Sequence, residues 1–155
     1  TLSRGLGDVY KRQRTGPAPV MMTLNASKRD VCRVRREVTS SPLQAFVLLN
    51  GPQFMEAARV MAAKLLEKHP DSPASVVDEA FRSFTSRFPG DRERKVLLKL
   101  HAEQLAHYKA DPEQAKGFLG IGAHPEAKGL PPHEVAAAAI LINTIMNLDE
   151  AVSKR

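Results

Sequence analysis

From residue 42 onward, apolar positions recur every three to four residues, the period of a helix with one buried face. Proline and glycine punctuate the pattern. Ser41-Pro42 supplies a cap and then proline at the first helical position, where a missing N–H does no harm. That helix runs to Leu49 and stops at Asn50-Gly51. Pro52 starts the next, with Phe54, Ala57, Ala58, Met61 and Leu65 at helical spacing. Ser72-Pro73 opens a third, carrying Val76, Val77, Ala80, Phe81 and Phe84 and closing before Pro89-Gly90. A fourth, over residues 92–109, sets Leu97, Leu98, Ala102, Leu105 and Tyr108 on one side. Asp111-Pro112 begins a short fifth that ends at Gly120; residues 120–129 read as a loop. A last helix runs from Pro132 to Leu148, with Asp149-Glu150 as its exit. Its first half is apolar on nearly all sides, which predicts the most buried element of the molecule. Five to six helices with short links define an all-α bundle.

Ahead of the bundle, residues 14–41 read as an irregular or extended lead-in. Thr15-Gly16-Pro17-Ala18-Pro19 opposes helix, because each proline removes a donor and biases its predecessor to extended geometry. Val31, Val34 and Val38 tolerate extension without making a strand. Residues 3–13, SRGLGDVYKRQ, back-translate without a mismatch into a string that resembles a transposase-type sequencing adapter. On that reading the chain is a metagenomic fragment, and residues 1–13 are non-native and stand outside fold reasoning. Residues 14–41 are then the lead-in of a truncated domain, and 42–155 its helical C-terminal part.

This partition changes the charge. The 155 residues carry a net +6. Setting aside Arg4, Lys11 and Arg12 against Asp8 removes +2 and leaves +4, a moderate balance that is weak ground for a nucleic-acid partner. The single cysteine, Cys32, cannot close an internal disulfide and leaves the redox compartment open. The longest apolar run, residues 135–142, falls far short of the ~20 residues a bilayer span needs.

Chemistry-bearing residues form no familiar constellation. His69, His101, His107, His124 and His133 occur in no HExxH pattern, and no CxxC or CxxCH is present. Neither metal nor covalent haem is therefore expected in this chain. His101, at the edge of an apolar face, reads as a hydrogen-bonded packing residue. Glu103 and His107, four apart, read as a solvated pair. Arg33, Arg35 and Arg36 favour a Cys32 thiolate, but a nucleophile needs a base within reach, so a packed thiol is the reading. The strip SKRDVCRVRRE, residues 27–37, is broken by Asp30 and Glu37, and no aromatic lies between Gln13 and Phe46 to stack a base. It reads as a salt-bridging or docking strip; a buried guanidinium within it would be architectural. Glu56, Glu67, Asp78, Glu79, Asp91 and Glu93 sit at helix starts or polar faces, where capping and solubility suffice. There is no GxSxG and no phosphate loop.

CRVRREVTSSPLQAFVLLNGPQFMEAARVMA, residues 32–62, resembles the signature of a planctomycete-specific domain of unknown function that follows planctomycete-type cytochrome c domains. Matching positions include Cys32, Val34, Arg35, Arg36, Thr39, Pro42, Leu43, Gln44, Ala45, Asn50, Pro52, Phe54, Glu56 and Arg59. AFRSFTSRFPGDRE and ILINTIMNLDEAVSKR resemble the second and closing regions of that family, so the resemblance spans residues 14–155. Val38, Ser40-Ser41 and Gly51 depart from the usual arginine, Asn-Thr and aspartate.

The resemblance implies an exported bacterial parent, periplasmic or in the cell envelope, with haem c elsewhere in its chain and no agreed reaction. The leading expectation is a non-catalytic helical module that docks onto the upstream part of the same polypeptide. Cys32, Arg35, Arg36, Gln44 and Asn50 are its candidate docking residues, and no catalytic, cofactor or metal residue is assigned. The rival is part of a hydrolase or redox domain, acting on polysaccharide, to which Arg35, Arg36 or Gln44 contributes. A third reading, a stand-alone basic module for nucleic acid, is disfavoured by the interrupted charge.

Overall fold

The computed structural model describes residues 19–26, 39, 41–70, 72–125, 127 and 129–152. Among them are eight α-helices and no strand, so the all-α expectation holds. The helices are α1 (Pro19–Thr23), α2 (Pro42–Asn50), α3 (Pro52–Lys68), α4 (Pro73–Thr85), α5 (Asp91–Ala110), α6 (Pro112–Leu119), α7 (Pro132–Met146) and α8 (Asp149–Val152). Six of them, all but α5 and α8, begin at proline, and for α2, α3, α4, α6 and α7 the punctuation predicts it. The chain divides into two compact units, Thr1–Val47 and Leu48–Arg155.

The first unit corrects the reading of the lead-in: residues 19–23 are helical. Pro19 occupies the first turn, where its absent donor is harmless. Asn25 closes the helix with φ 57°, while Ala26 N–H reaches Met21 O at 2.8 Å and Asn25 N–H reaches Met22 O at 3.1 Å. That paired closure is a Schellman stop, with asparagine in the place glycine usually takes. At the start of α2, Ser41 Oγ accepts the Gln44 N–H at 3.3 Å and Gln44 Oε1 accepts the Ser41 N–H at 3.0 Å, a reciprocal capping box. Neither α1 nor α2 has a buried residue.

The second unit is built on α7. Nine of its fifteen residues are buried, including the run Ala136, Ala137, Ala138 and Ala139. It packs against α3 and α5 most extensively and also meets α4, α6 and α8. Small side chains let helices approach closely, and α3 contributes the fully buried Ala58 and Ala62 to the same core. Phe81, Leu141, Ile142 and Ile145 fill the remaining volume, each worth about 1.5–3 kcal/mol when withdrawn from water. Ser72 caps α4 by accepting the Ser75 N–H, and Asp111 caps α6 by accepting the Gln114 N–H. Asn143, buried within α7, donates to Leu49 O at 2.8 Å and accepts from Asn147 Nδ2 at 2.9 Å.

Two further expectations change. The last helix stops at Met146, and the supposed exit is a separate turn, α8, that places Glu150 for an ion pair. His107 lies against Gln114 Oε1 at 3.1 Å, whereas Glu103 pairs with Lys99. The Asp111 cap turns the chain so that α6 returns to the end of α5, and that return brings Gln114 to the imidazole.

Candidate functional site

Of the five docking residues read from the sequence, Cys32, Arg35 and Arg36 lie outside the described residues. Gln44 is an internal tie. Besides its capping role, its Nε2 donates to Thr23 O at 2.9 Å and to Thr39 Oγ1 at 3.0 Å, joining α1 to α2. Asn50 is the exposed last residue of α2. The structure therefore brings no pair of them together among the described residues.

A different pair of motif residues converges. Glu56 and Arg59 are one turn apart on α3 and both reach the loop after α6. Glu56 Oε1 accepts the backbone N–H groups of Ala123 at 3.1 Å and His124 at 2.6 Å. Arg59 donates through Nη2 to His124 O at 2.7 Å and through Nη1 to Pro125 O at 3.3 Å. Its side chain is buried, with the residue 3% exposed, and Nε has no partner. Gly122 passes so close that an added Cβ would sit 2.6 Å from Glu56 Cδ, at a φ of +104° that other residues rarely adopt. A cavity of about 250 Å³ adjoins this clamp, walled by Val60, Ala63, Lys64, Leu119 and Leu130. Glu56 is thus a loop anchor, not the capping or solubility carboxylate its position indicated. The i, i+3 spacing of a carboxylate and an arginine was the signal available for it.

A second arginine organises the opposite kind of site. Arg87 lies just beyond α4 and holds Glu93 with two parallel bonds of 2.8 Å. It also holds Glu150 with bonds of 2.9 and 2.7 Å. Its guanidinium carbon stands 4.8 Å from the Phe81 ring centre. Glu93 additionally accepts the Gly90 N–H at 2.7 Å, as a carboxylate at a helix start should. Arg87 first, and then the Gly90 N–H, hold the Glu93 carboxyl down at about 2. Glu93 first, and then Glu150, push the Arg87 guanidinium further above its already high range. The segments AFRSFTSRFPGDRE and ILINTIMNLDEAVSKR, both singled out in the sequence, meet through this clasp.

The remaining polar groups are distributed. Glu79 receives Lys68 and His69, at 2.5 and 2.6 Å, and these hold its carboxyl below the usual range. Asp78 pairs with Arg94. His101 is buried, as expected, beside a cavity of about 210 Å³ that it shares with His69, Leu105 and Glu134. Burial pushes the His101 imidazole down, and Glu134 partly offsets this. No group of three histidine, cysteine or acidic side chains is arranged to hold a metal among the described residues, and no described helix is long and apolar enough to cross a membrane.

Comparison with family models matches residues 5–101 to the family described as PSD1, protein of unknown function (DUF1553). Neither the curated proteins nor the solved structures yield a match. The family match contains Gln44, Glu56 and Arg59 and stops before α7, on which the core is built.

Proposed function

The chain belongs to the DUF1553 family, and from that premise we propose that it is a non-catalytic helical module of a larger exported, cytochrome-associated protein. In this reading it docks onto upstream polypeptide of the same protein, and haem c resides in a region outside this chain. The observation that carries the reading is the exposure of the first unit's apolar residues. On α2, Leu43 is 59% exposed; on α1, Val20, Met21 and Met22 are exposed as well. Helices this apolar are stable when a partner covers them. Gln44, which ties α1 to α2, holds these residues on one platform.

The clamp at Arg59 and the clasp at Arg87 support the same reading, because they commit the motif arginines to backbone and carboxylate partners rather than to a reacting group. Separately expressed upstream region should bind this chain in a pull-down. The double variant Met22→Asp, Leu43→Asp should lose that binding while keeping its helical circular dichroism. Absence of association, or association untouched by the two aspartates, overturns the docking reading.

A further inference from the structure

Phe88 is a large apolar side chain left 62% exposed in the second unit. Burial of a phenylalanine is favourable, so a ring held in water by a rigid backbone calls for a reason. The backbone here is rigid. Ser86 ends α4 in the left-handed region with φ 61°, Arg87 Nη1 donates to Phe88 O at 3.2 Å, and Pro89 restricts Phe88 to extended geometry. Arg87 is itself fixed by Glu93 and Glu150. Arg82 lies over one face of the ring, its guanidinium carbon 5.2 Å from the centre.

The ring borders an open cavity of about 490 Å³ whose wall includes Lys68, His69, Ser75, Asp78, Glu79 and Ser83, together with Arg82. That volume falls within the range of small-molecule sites, roughly 300–1,000 Å³. The wall's formal charges cancel: Lys68 and Arg82 oppose Asp78 and Glu79. Mutual pairing orients them, since Lys68 and His69 bind Glu79 while Arg94 binds Asp78. A balanced wall gives little attraction to a polyanion or a polycation. It offers fixed donors and acceptors, because each carboxylate can accept several bonds and each hydroxyl both donates and accepts. A ligand suited to it has an apolar face for the phenyl ring and hydroxyls around its edge.

We propose that this cavity is a binding site for neutral carbohydrate, in which a sugar ring stacks its C–H face on the side of Phe88 that Arg82 leaves open while its hydroxyls bond to the paired polar wall. The site involves no reaction and is independent of the docking platform on α1 and α2. The test is calorimetric titration of the full chain with cellohexaose, xylohexaose, maltohexaose and chitohexaose, with a sulfated hexasaccharide as the anionic comparison. At least one neutral sugar should bind with an affinity that added salt leaves unchanged. Phe88→Ala should weaken that binding about tenfold or more, and Phe88→Trp should keep or strengthen it. Because Phe88 is exposed, both variants should keep the wild-type melting temperature. The proposal is overturned if no neutral sugar binds, if Phe88→Ala binds as wild type, or if only the sulfated sugar binds with a steep salt dependence.

Discussion

The Arg59 clamp and the Arg87 clasp use one residue type in two environments. Arg59 is buried, addresses neutral backbone carbonyls 65 and 66 residues away and leaves Nε unsatisfied. Arg87 keeps 42% of its side chain exposed, addresses two full negative charges and makes two bonds to each carboxylate. By Coulomb's law alone the clasp should be the stronger. Solvent reverses that order, because exposed ion pairs exchange protein contacts for water contacts at little net gain. A buried guanidinium has no such exchange, and its aliphatic stem also packs. The comparison therefore assigns stability to the clamp and pH response to the clasp.

The largest expected effect lies at the clamp. Arg59→Ala should destabilise the second unit by about 2–3 kcal/mol in urea unfolding, through lost packing and lost hydrogen bonds together. Arg59→Lys should recover little of it, since an ammonium cannot span two carbonyls as the planar fork does. An unchanged midpoint in Arg59→Ala would remove the contrast altogether. Gly122→Ala attacks the same contact from the loop side. Its Cβ meets Glu56 and its φ is unfavourable, so a cost of about 1–3 kcal/mol is expected. Hydrogen exchange should quicken at Ala123 and His124, whose N–H groups Glu56 accepts.

At the clasp the expected loss is smaller and carries a different signature. Arg87→Ala should lower the melting temperature by well under half as much as Arg59→Ala, and added salt should shrink the difference. The pH response is sharper. Glu93 titrates at about 2 in the folded chain against an ordinary 4.5, so the unfolded chain takes up its proton first as pH falls. Its stabilisation is complete above 4.5 and drains away as pH falls through about 2. Arg87→Ala should flatten the stability profile across that window. A profile as steep as wild type would show that the acid response originates elsewhere.

The contrast also accounts for what was legible in the sequence. Pro42, Pro52, Pro73, Pro112 and Pro132 marked helix starts because their effect is confined to one turn. The α7 core was visible because period and composition agree along fifteen residues. Glu56 and Arg59 were visible as motif residues but not as anchors, since their partners lie some 65 residues downstream in a loop without period. Glu150 escaped for the same reason, 63 residues from Arg87. The turn at Asn25 was local and readable in principle; the preceding prolines drew the reading toward extension instead.

The smallest expected effect returns to burial. His101 lies inside the second unit, and the titratable groups bordering its cavity are Glu134 from α7 and His69 beyond α3. Burial lowers its titration below the ordinary 6.5, so between the folded value and 6.5 the unfolded chain holds more protons. Stability is then full above 6.5 and declines as pH falls below it through the folded value. His101→Met, which keeps much of the volume, should flatten urea midpoints measured just below 6.5. Glu134→Gln should do the opposite, because removing the one carboxylate that favours the imidazolium leaves burial unopposed and widens the window. If both variants track wild type, burial does not set the titration of this imidazole.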